Sequence, residues 1–359
     1  VGIFMIAARR TSTLILVHRK QLLDQWIAQL ALFLGIDKKA IGRIAGGRRT
    51  PRGRLDVAMV QSLVRRGSVS DAVAGYGHVI QDEAHHCPAV SFERILAEVK
   101  ARYVLGLTAT PLRRDGHHPI IPMQLGPVRF SVDARSQAAG RPFAHKLTVR
   151  ETGFSVEGLS AGAGIQEIYA ALAADSRRND LIFDDLVGSL EAKRSPILLT
   201  ERRDHLEHFA RRLQGFTRHL IVLHGGMKAR ERRAVLAQFA AIPEGEERVV
   251  IATGRYIGEG FDDARLDTLF LALPVSWKGT LIQYTGRLHR LHPGKTEVRI
   301  HDYLDSQVPM LAKMFEKRLR GYRAIGYTLE EMDRGGRESE EGARIEYDLD
   351  PPSSPGKDL

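Results

Sequence analysis

The chain has 359 residues, enough for two ordinary domains, and its 43% hydrophobic and 27% charged content is that of a water-soluble globular protein. Nothing approaches the roughly 18 uninterrupted apolar residues of a membrane-spanning helix, and the apolar opening VGIFMIAARR lacks a signal peptide's basic lead-in and small-residue cleavage site. Lysine and arginine number 53 against 43 acidic residues, a net charge of +10 that favours a polyanionic partner, nucleic acid first, while a single cysteine, Cys87, rules out an internal disulfide and suits the cytosol.

In chain order, short apolar runs alternate with amphipathic stretches. Leu14–Val17, Val57–Val60, Val79–Ile80 and Val104–Leu107 are predicted strands in the first half. Ile197–Leu199, Leu220–Leu223, Val249–Ala252, Leu269–Leu273 and Val298–Ile300 are predicted strands in the second. Gln21–Phe33, Arg202–Leu213, Ala229–Phe239 and Leu281–Leu288 carry helical spacing. Strand and helix in alternation predict an α/β fold, with parallel sheets covered by helices on both faces. The alternation breaks between about Asp133 and Gln166, where GFSVEGLSAGAGIQ reads as a linker. The expected domains are therefore residues 1–150 and 165–325, joined by 151–164. The polar, proline-bearing stretch 334–359 is expected to be a disordered tail.

Asp82 and Glu83 follow the strand HVI, at the carboxyl end where parallel sheets place ligands. One carboxylate there can hold Mg²⁺ beside a nucleotide while its neighbour orients or deprotonates water. His85, His86 and Cys87 invite a zinc reading, but adjacent side chains on an extended segment point opposite ways and no second ligand pair has metal-like spacing. Strand YVLGL runs into Thr108 and Thr110, hydroxyls that can link the nucleotide state to nearby loops. The run Thr253–Asp262 holds Gly254, Gly258 and Gly260, which allow close backbone approach to a phosphate or sugar. In QYTGRLHR, Arg287 and Arg290 share a face if helical, and paired guanidinium groups can neutralise a transferring γ-phosphate.

These segments, in this order, resemble the superfamily 2 helicases, in particular the DEAD/DEAH-box group that includes XPB-like and restriction-type motors. TLILVHRKQLLDQW resembles motif Ia, VAMVQSL the motif after it, QDEAHH motif II and GLTATPLRRDG motif III with its extension. ILLTERRDHLEHFARRL resembles motif IV, VLHGGM the nearby loop, IATGRYIGEGFD motif V and QYTGRLHR motif VI, so the likeness spans most of residues 11–305. It implies two tandem RecA-like domains with ATP and Mg²⁺ in the cleft between them and nucleic acid crossing both. By position, it implies that Asp82 helps hold the metal and Glu83 is the catalytic base. It implies likewise that Thr108 and Thr110 couple hydrolysis to strand movement and that Gly258, Glu259, Gly260 and Asp262 sense nucleotide and nucleic acid. The resemblance also implies that Gln283 and Arg287 face the nucleotide and favours Arg290 over Arg287 as the arginine finger. Arg19, Gln61, Ser62 and Thr253 are candidates for contacting the nucleic-acid backbone. The motifs lean towards DNA and 3′→5′ polarity, and leave RNA open.

One family element is missing from the sequence: no G-x-x-x-x-G-K-[ST] phosphate-binding loop (Walker A) occurs. Gly294-Lys295-Thr296 is a fragment of it, but His289 stands where the first glycine belongs, so it reads as a turn before the strand EVRIHDY. VGIFMIAARR resembles the helix that follows such a loop, and the chain starts with Val1 rather than Met, which together suggest an excerpt of a longer protein. The expectation is an ATP-dependent helicase or translocase in the intact protein, with the 359 residues alone inactive in hydrolysis. Two other readings stay open: the motor part of a restriction or defence system with nuclease or primase domains elsewhere, and a non-catalytic nucleic-acid-binding scaffold.

Overall fold

The computed structural model describes residues 1–333 apart from 47, 66–67, 85–89, 109–119, 157–163, 255–262 and 276–277. Its first half contains β1 (Thr13–Val17), β2 (Gly42–Ala45), β3 (Arg48–Thr50), β4 (Leu55–Met59), β5 (Val64–Arg65), β6 (Ser68–Val69), β7 (His78–Asp82) and β8 (Tyr103–Leu107). Six of these form one sheet in the order β3-β2-β4-β1-β7-β8, parallel except for the β2–β3 hairpin, while β5 and β6 make a separate ribbon. β1 is central and its five residues are all buried. Its side chains alternate between the two faces. Ile15 and Val17 pack with Ile6, Leu23, Trp26 and Leu30 of the helices Gly2–Arg9 and Lys20–Leu34. Leu14 and Leu16 pack on the other side with Phe92 and Ile95 of the helix Val90–Ala97. β8 ends the sheet, and its five residues are only half-buried.

The second half contains β9 (Ala144–Glu151), β10 (Pro196–Thr200), β11 (Leu220–Leu223), β12 (Val249–Thr253), β13 (Thr268–Leu271), β14 (Glu297–Leu304) and β15 (Thr328–Asp333). They form a seven-stranded, all-parallel sheet in the order β11-β12-β10-β13-β14-β9-β15. Ile197, Leu199, Val250, Ala252, Leu269 and Leu271 face one core, and Leu198, Val249, Ile251 and Phe270 face the other. Among the described residues no helix is long and apolar enough to cross a membrane.

Sheet membership corrects the division at residue 150. β9, inside the stretch 1–150, pairs with β14 over eight residues and belongs to the second sheet. β15, beyond residue 325, pairs with β9. The interval from 133 to 166, where the alternation was expected to break, holds the helix Ala134–Ala139 and β9. β9 reads AHKLTVRE, alternating polar and apolar rather than running apolar. Its charges are met across the sheet: Lys146 Nζ lies 2.9 Å from Glu297 of β14 and 2.6 Å from Glu330 of β15. That pairing lets a polar-looking segment lie inside a sheet. The expected tail 334–359 lies outside the described residues.

Candidate functional site

Because β1, β4, β7 and β8 run parallel, their carboxyl ends form one edge of the first sheet. His18 and Arg19 follow β1, Gln61 and Ser62 follow β4, Glu83 follows β7 and Thr108 follows β8. In the second sheet, Glu201 follows β10 and Gly254 follows β12, which ends at Thr253. Short apolar strands with polar residues at or directly after their ends therefore place Arg19, Gln61, Ser62, Asp82, Glu83, Thr108 and Thr253 where α/β sheets bind ligands.

A cavity of about 720 Å³ separates the two halves. Asp82 and Glu83 line it from the first sheet, and Arg287 and Arg290 from the second. Gly2, Phe4, Trp26 and Leu107 complete much of its wall. Asp82 is oriented by two donors: the indole Nε1 of Trp26 donates to Oδ2 at 2.8 Å, and the amide of Glu83 donates to Oδ1 at 3.0 Å. Burial raises the Asp82 carboxyl above its ordinary range, an effect the Trp26 bond opposes. A half-buried carboxylate whose oxygens each keep a lone pair fits a divalent cation held beside phosphates. Glu83 has φ 52°, a left-handed setting uncommon for a residue with a Cβ, and local strain of this kind clusters at functional sites.

The two arginines are not equivalent in backbone setting. Arg287 lies within the helix Lys278–Leu288, whereas Arg290 lies two residues beyond its end. The expected sharing of one helical face is thus replaced by a helix and the turn after it, yet both side chains reach the same cavity. Gln283 is not on that wall. It lines an adjoining cavity of about 300 Å³ with Gln137, Arg141, Arg287 and Arg290. Thr110, Gly258, Glu259, Gly260 and Asp262 lie outside the described residues.

Lys295 resolves the loop-like fragment. Gly294 takes φ 79° in a turn, and Lys295 Nζ donates to the carbonyls of Leu266, Leu288 and Arg290 at 2.8, 2.9 and 2.9 Å. Burial lowers this amine to about 8. Its donors are engaged at the carboxyl end of the helix that carries Arg287, where a cation caps orphan carbonyls. It is a structural cap rather than a phosphate ligand.

On the nucleic-acid side, Gln61 and Ser62 line a depression of about 680 Å³ with Lys20, Arg43, Gly46 and Met59. Gln61 Nε2 donates to the carbonyl of His18 at 3.1 Å. Ser62 is buried and its hydroxyl accepts from the amide of Gly46 at 2.9 Å, so it braces the β2–β3 turn. Arg19 precedes the helix Lys20–Leu34, and Thr253 pairs with Thr200 at the end of its strand.

Sequence reasoning missed one residue of the cleft wall, Trp26, and a contact between Tyr284 and Glu201 beside the end of β12. Trp26 fixes Asp82 from 56 positions away. Tyr284 donates to Glu201 Oε1 at 3.2 Å, and both crowd Gly254 so closely that any Cβ there would overlap them. Trp26 gave no local signal beyond a hydrophobic helix position. Gly254 did, as a glycine directly after a strand.

Two parallel α/β units with carboxylates from one and guanidinium groups from the other in a shared cleft define the tandem RecA-like architecture. A fragment of a putative HsdR subunit of a type I restriction enzyme from Vibrio vulnificus shares this fold with a TM-score of 0.62 at 18% identity, covering 90% of this chain and 57% of that one. Yeast Dbp5, solved with RNA and ADP BeF3, shares it with a TM-score of 0.58 at 15% identity, covering 90% and 78%. Residues 2–113 match the family described as type III restriction enzyme, res subunit, and residues 179–292 match the helicase conserved C-terminal domain. A putative helicase of Invertebrate iridescent virus 6 is 26% identical over 91% of this chain and 74% of its own length. The DNA 3'-5' helicase XPB of Kineococcus radiotolerans is 28% identical over 67% of this chain but 43% of its own length. The chain belongs to the superfamily 2 helicases, and it is a helicase-like, nucleotide-binding motor.

Proposed function

We propose that this chain is the two-domain core of an ATP-dependent, DNA-directed helicase or duplex translocase of cytoplasmic location. The observation that carries this reading is the cleft itself, with Asp82 and Glu83 on one wall and Arg287 and Arg290 on the other. A triphosphate between them would meet a metal-binding carboxylate, a base and two guanidinium groups, the set that phosphoryl transfer to water needs. Bound Mg²⁺ would offset charge on the phosphate oxygens, with Asp82 as its protein ligand. Glu83 takes the proton of the attacking water, Arg290 stabilises charge that develops on the γ-phosphate, and Arg287 holds the phosphates in the ground state. Thr108, at the end of β8, and Thr110 pass the change to the neighbouring loops. Gln283 steadies the Arg287 side of the cleft, and the loop of Gly258, Glu259, Gly260 and Asp262 reports the nucleotide state to the nucleic acid. The net charge of +10 and a relative named as a DNA 3'-5' helicase support DNA and 3′→5′ movement.

Hydrolysis needs a phosphate cradle, and no Walker A sequence occurs in these 359 residues. We infer that sequence outside residues 1–359 supplies it, along the edge of β8. That edge has no partner strand among the described residues, and the strand is only half-buried. The match to a restriction-enzyme family and the HsdR fold favour a second reading, in which the motor serves a restriction system and nuclease or primase parts lie elsewhere. Steady-state hydrolysis with and without DNA tests the first reading. The 359-residue protein should show no turnover above background, and a form carrying a phosphate-binding loop should show DNA-stimulated turnover that Glu83→Gln abolishes. Turnover by the 359 residues alone, lost in Glu83→Gln, would mean that another cradle exists. No turnover in the loop-bearing form, with DNA binding intact, would leave the scaffold reading.

A further inference from the structure

The segment 42–54, GRIAGGRRTPRGR, holds five arginines and no acidic residue. It forms the hairpin β2–β3 at the rim of the first sheet and a turn returning to β4. Arg49, Arg52 and Arg54 are exposed. The turn beneath them is a built structure. Asp56, fully buried, accepts from the amides of Arg52 and Gly53 at 2.9 Å each and from the Tyr76 hydroxyl. That carboxylate is occupied by the backbone and a phenol, and among the described ion pairs none joins it to a guanidinium. A Cβ on Gly42 would collide with Asp56 and with the Arg52 amide, so glycine is needed there. Two bonds tie the hairpin to the strand end that carries Gln61 and Ser62. The Gly46 amide donates to the Ser62 hydroxyl at 2.9 Å, and the Arg49 guanidinium donates to the Ser62 carbonyl. Arg43 and Gly46 share one depression with Lys20, Gln61 and Ser62.

We propose that the hairpin and its return turn form an arm of the nucleic-acid track, in which Arg49, Arg52 and Arg54 contact backbone phosphates beyond the depression lined by Gln61 and Ser62. The inference rests on the reading of the chain as a nucleic-acid motor and adds a contact surface to it. Exposed guanidinium groups on a braced turn offer forked donors to phosphate oxygens at small cost in lost freedom. Ser62 then acts as a positioning residue that holds the arm, and Gln61 remains at the strand end. The competing explanation is edge protection, since charges on a rim strand keep it from pairing with another chain.

The test compares R49Q/R52Q/R54Q with K313Q/K317Q/R320Q, which removes the same charge from exposed positions on the helix Pro309–Ala324. Each protein is titrated with labelled single- and double-stranded oligonucleotides at several salt concentrations, and its melting temperature checks folding. The arm variant should lose roughly 0.7–0.9 from the log–log salt slope per phosphate released, which for three contacts is about 100–500-fold weaker binding at 0.1 M salt. The control should keep the parent slope, and R49K/R52K/R54K should keep most of it. If the parent binds with a steep slope and the arm variant keeps it, the arm is not part of the track; aggregation of that variant would then point to edge protection. If the parent itself shows no salt-dependent binding, the nucleic-acid reading falls, and this inference with it.

Discussion

Arg287 and Arg290 enter one cavity from different backbone settings, and this separates what each can do. Arg287 is fixed on a helix, whereas Arg290 sits in a turn whose carbonyl is held by Lys295 Nζ at 2.9 Å. A turn residue held by its backbone can aim its guanidinium without moving the helix. In a form of the protein that carries a phosphate-binding loop, Arg290→Ala should leave ATP affinity near the parent value and cut turnover by about 10³–10⁵-fold, the range for an arginine finger. Arg287→Ala should weaken nucleotide binding as well. Lysine should rescue either position poorly, because a point charge lacks the planar fork. Turnover at saturating ATP and DNA, measured beside nucleotide affinity, checks this. Near-parent turnover in Arg290→Ala would remove its assignment.

In the connection from β13 to the helix Lys278–Leu288, the carbonyls of Ala272, Pro274 and Val275 are taken by side chains. Arg178 Nη1 donates to Ala272 at 2.6 Å, Tyr169 to Pro274 at 2.7 Å and Arg318 Nη1 to Val275 at 3.4 Å. Both arginines are buried and anchored by carboxylates. Arg178 Nε donates to Asp305 at 2.9 Å, and Arg318 makes a two-pronged contact with Asp302 at 2.7 and 2.9 Å, joined by the Tyr322 hydroxyl. Asp302→Ala would strand the Arg318 charge in the core and should cost about 3–5 kcal/mol in urea denaturation. Asp302→Leu with Arg318→Met removes both charges and should recover most of that loss. Equal losses in the single and double variants would show that packing, not the uncompensated charge, sets the cost.

At the scale of the molecule, a group of buried histidines sets the response to acid. Burial lowers His78 and His145 to about 4, and His205 and His301 to about 3. His301 is stacked on Phe270 at 4.3 Å, and among the described residues neither of its ring nitrogens has a hydrogen-bond partner. Each folded value lies below the 6.5 of an unfolded histidine, so below that pH the unfolded chain takes up protons that the folded chain does not. Stability should therefore be nearly flat above about pH 7 and fall as the pH drops through 6.5 towards 4, by at most about 1.4 kcal/mol per pH unit for each histidine. Carboxylates held low by hydrogen bonds, such as Asp204 by Arg202 and Glu246 by His219, lose their contribution only at lower pH. Urea midpoints at pH 7.5, 6 and 5 check the slope, and His301→Phe should flatten it. A midpoint that holds steady from pH 7.5 to 5 would contradict this account.

Local sequence was enough for features whose physics is local. The apolar runs of β1, β10 and β12 read as buried strands because both faces of a parallel sheet are covered, and the polar residues after them mark the ligand edge. Asp82 and Glu83 were legible because the strand and the acidic pair adjoin, and the turn at Gly294 because a misplaced fragment lacked its first glycine. Tertiary structure alone decided the rest. β9 was hidden because its charges are neutralised by Glu297 and Glu330, far along the chain, so nothing in AHKLTVRE marks it as interior. Trp26 looked like one more core position until folding brought its indole to Asp82, and Tyr284 and Glu201 converged on Gly254 only when β10, β12 and the helix after β13 came together. A sequence records which groups can be buried or charged. Which charge meets which donor depends on contacts between distant segments, and these exist only once the sheets have formed.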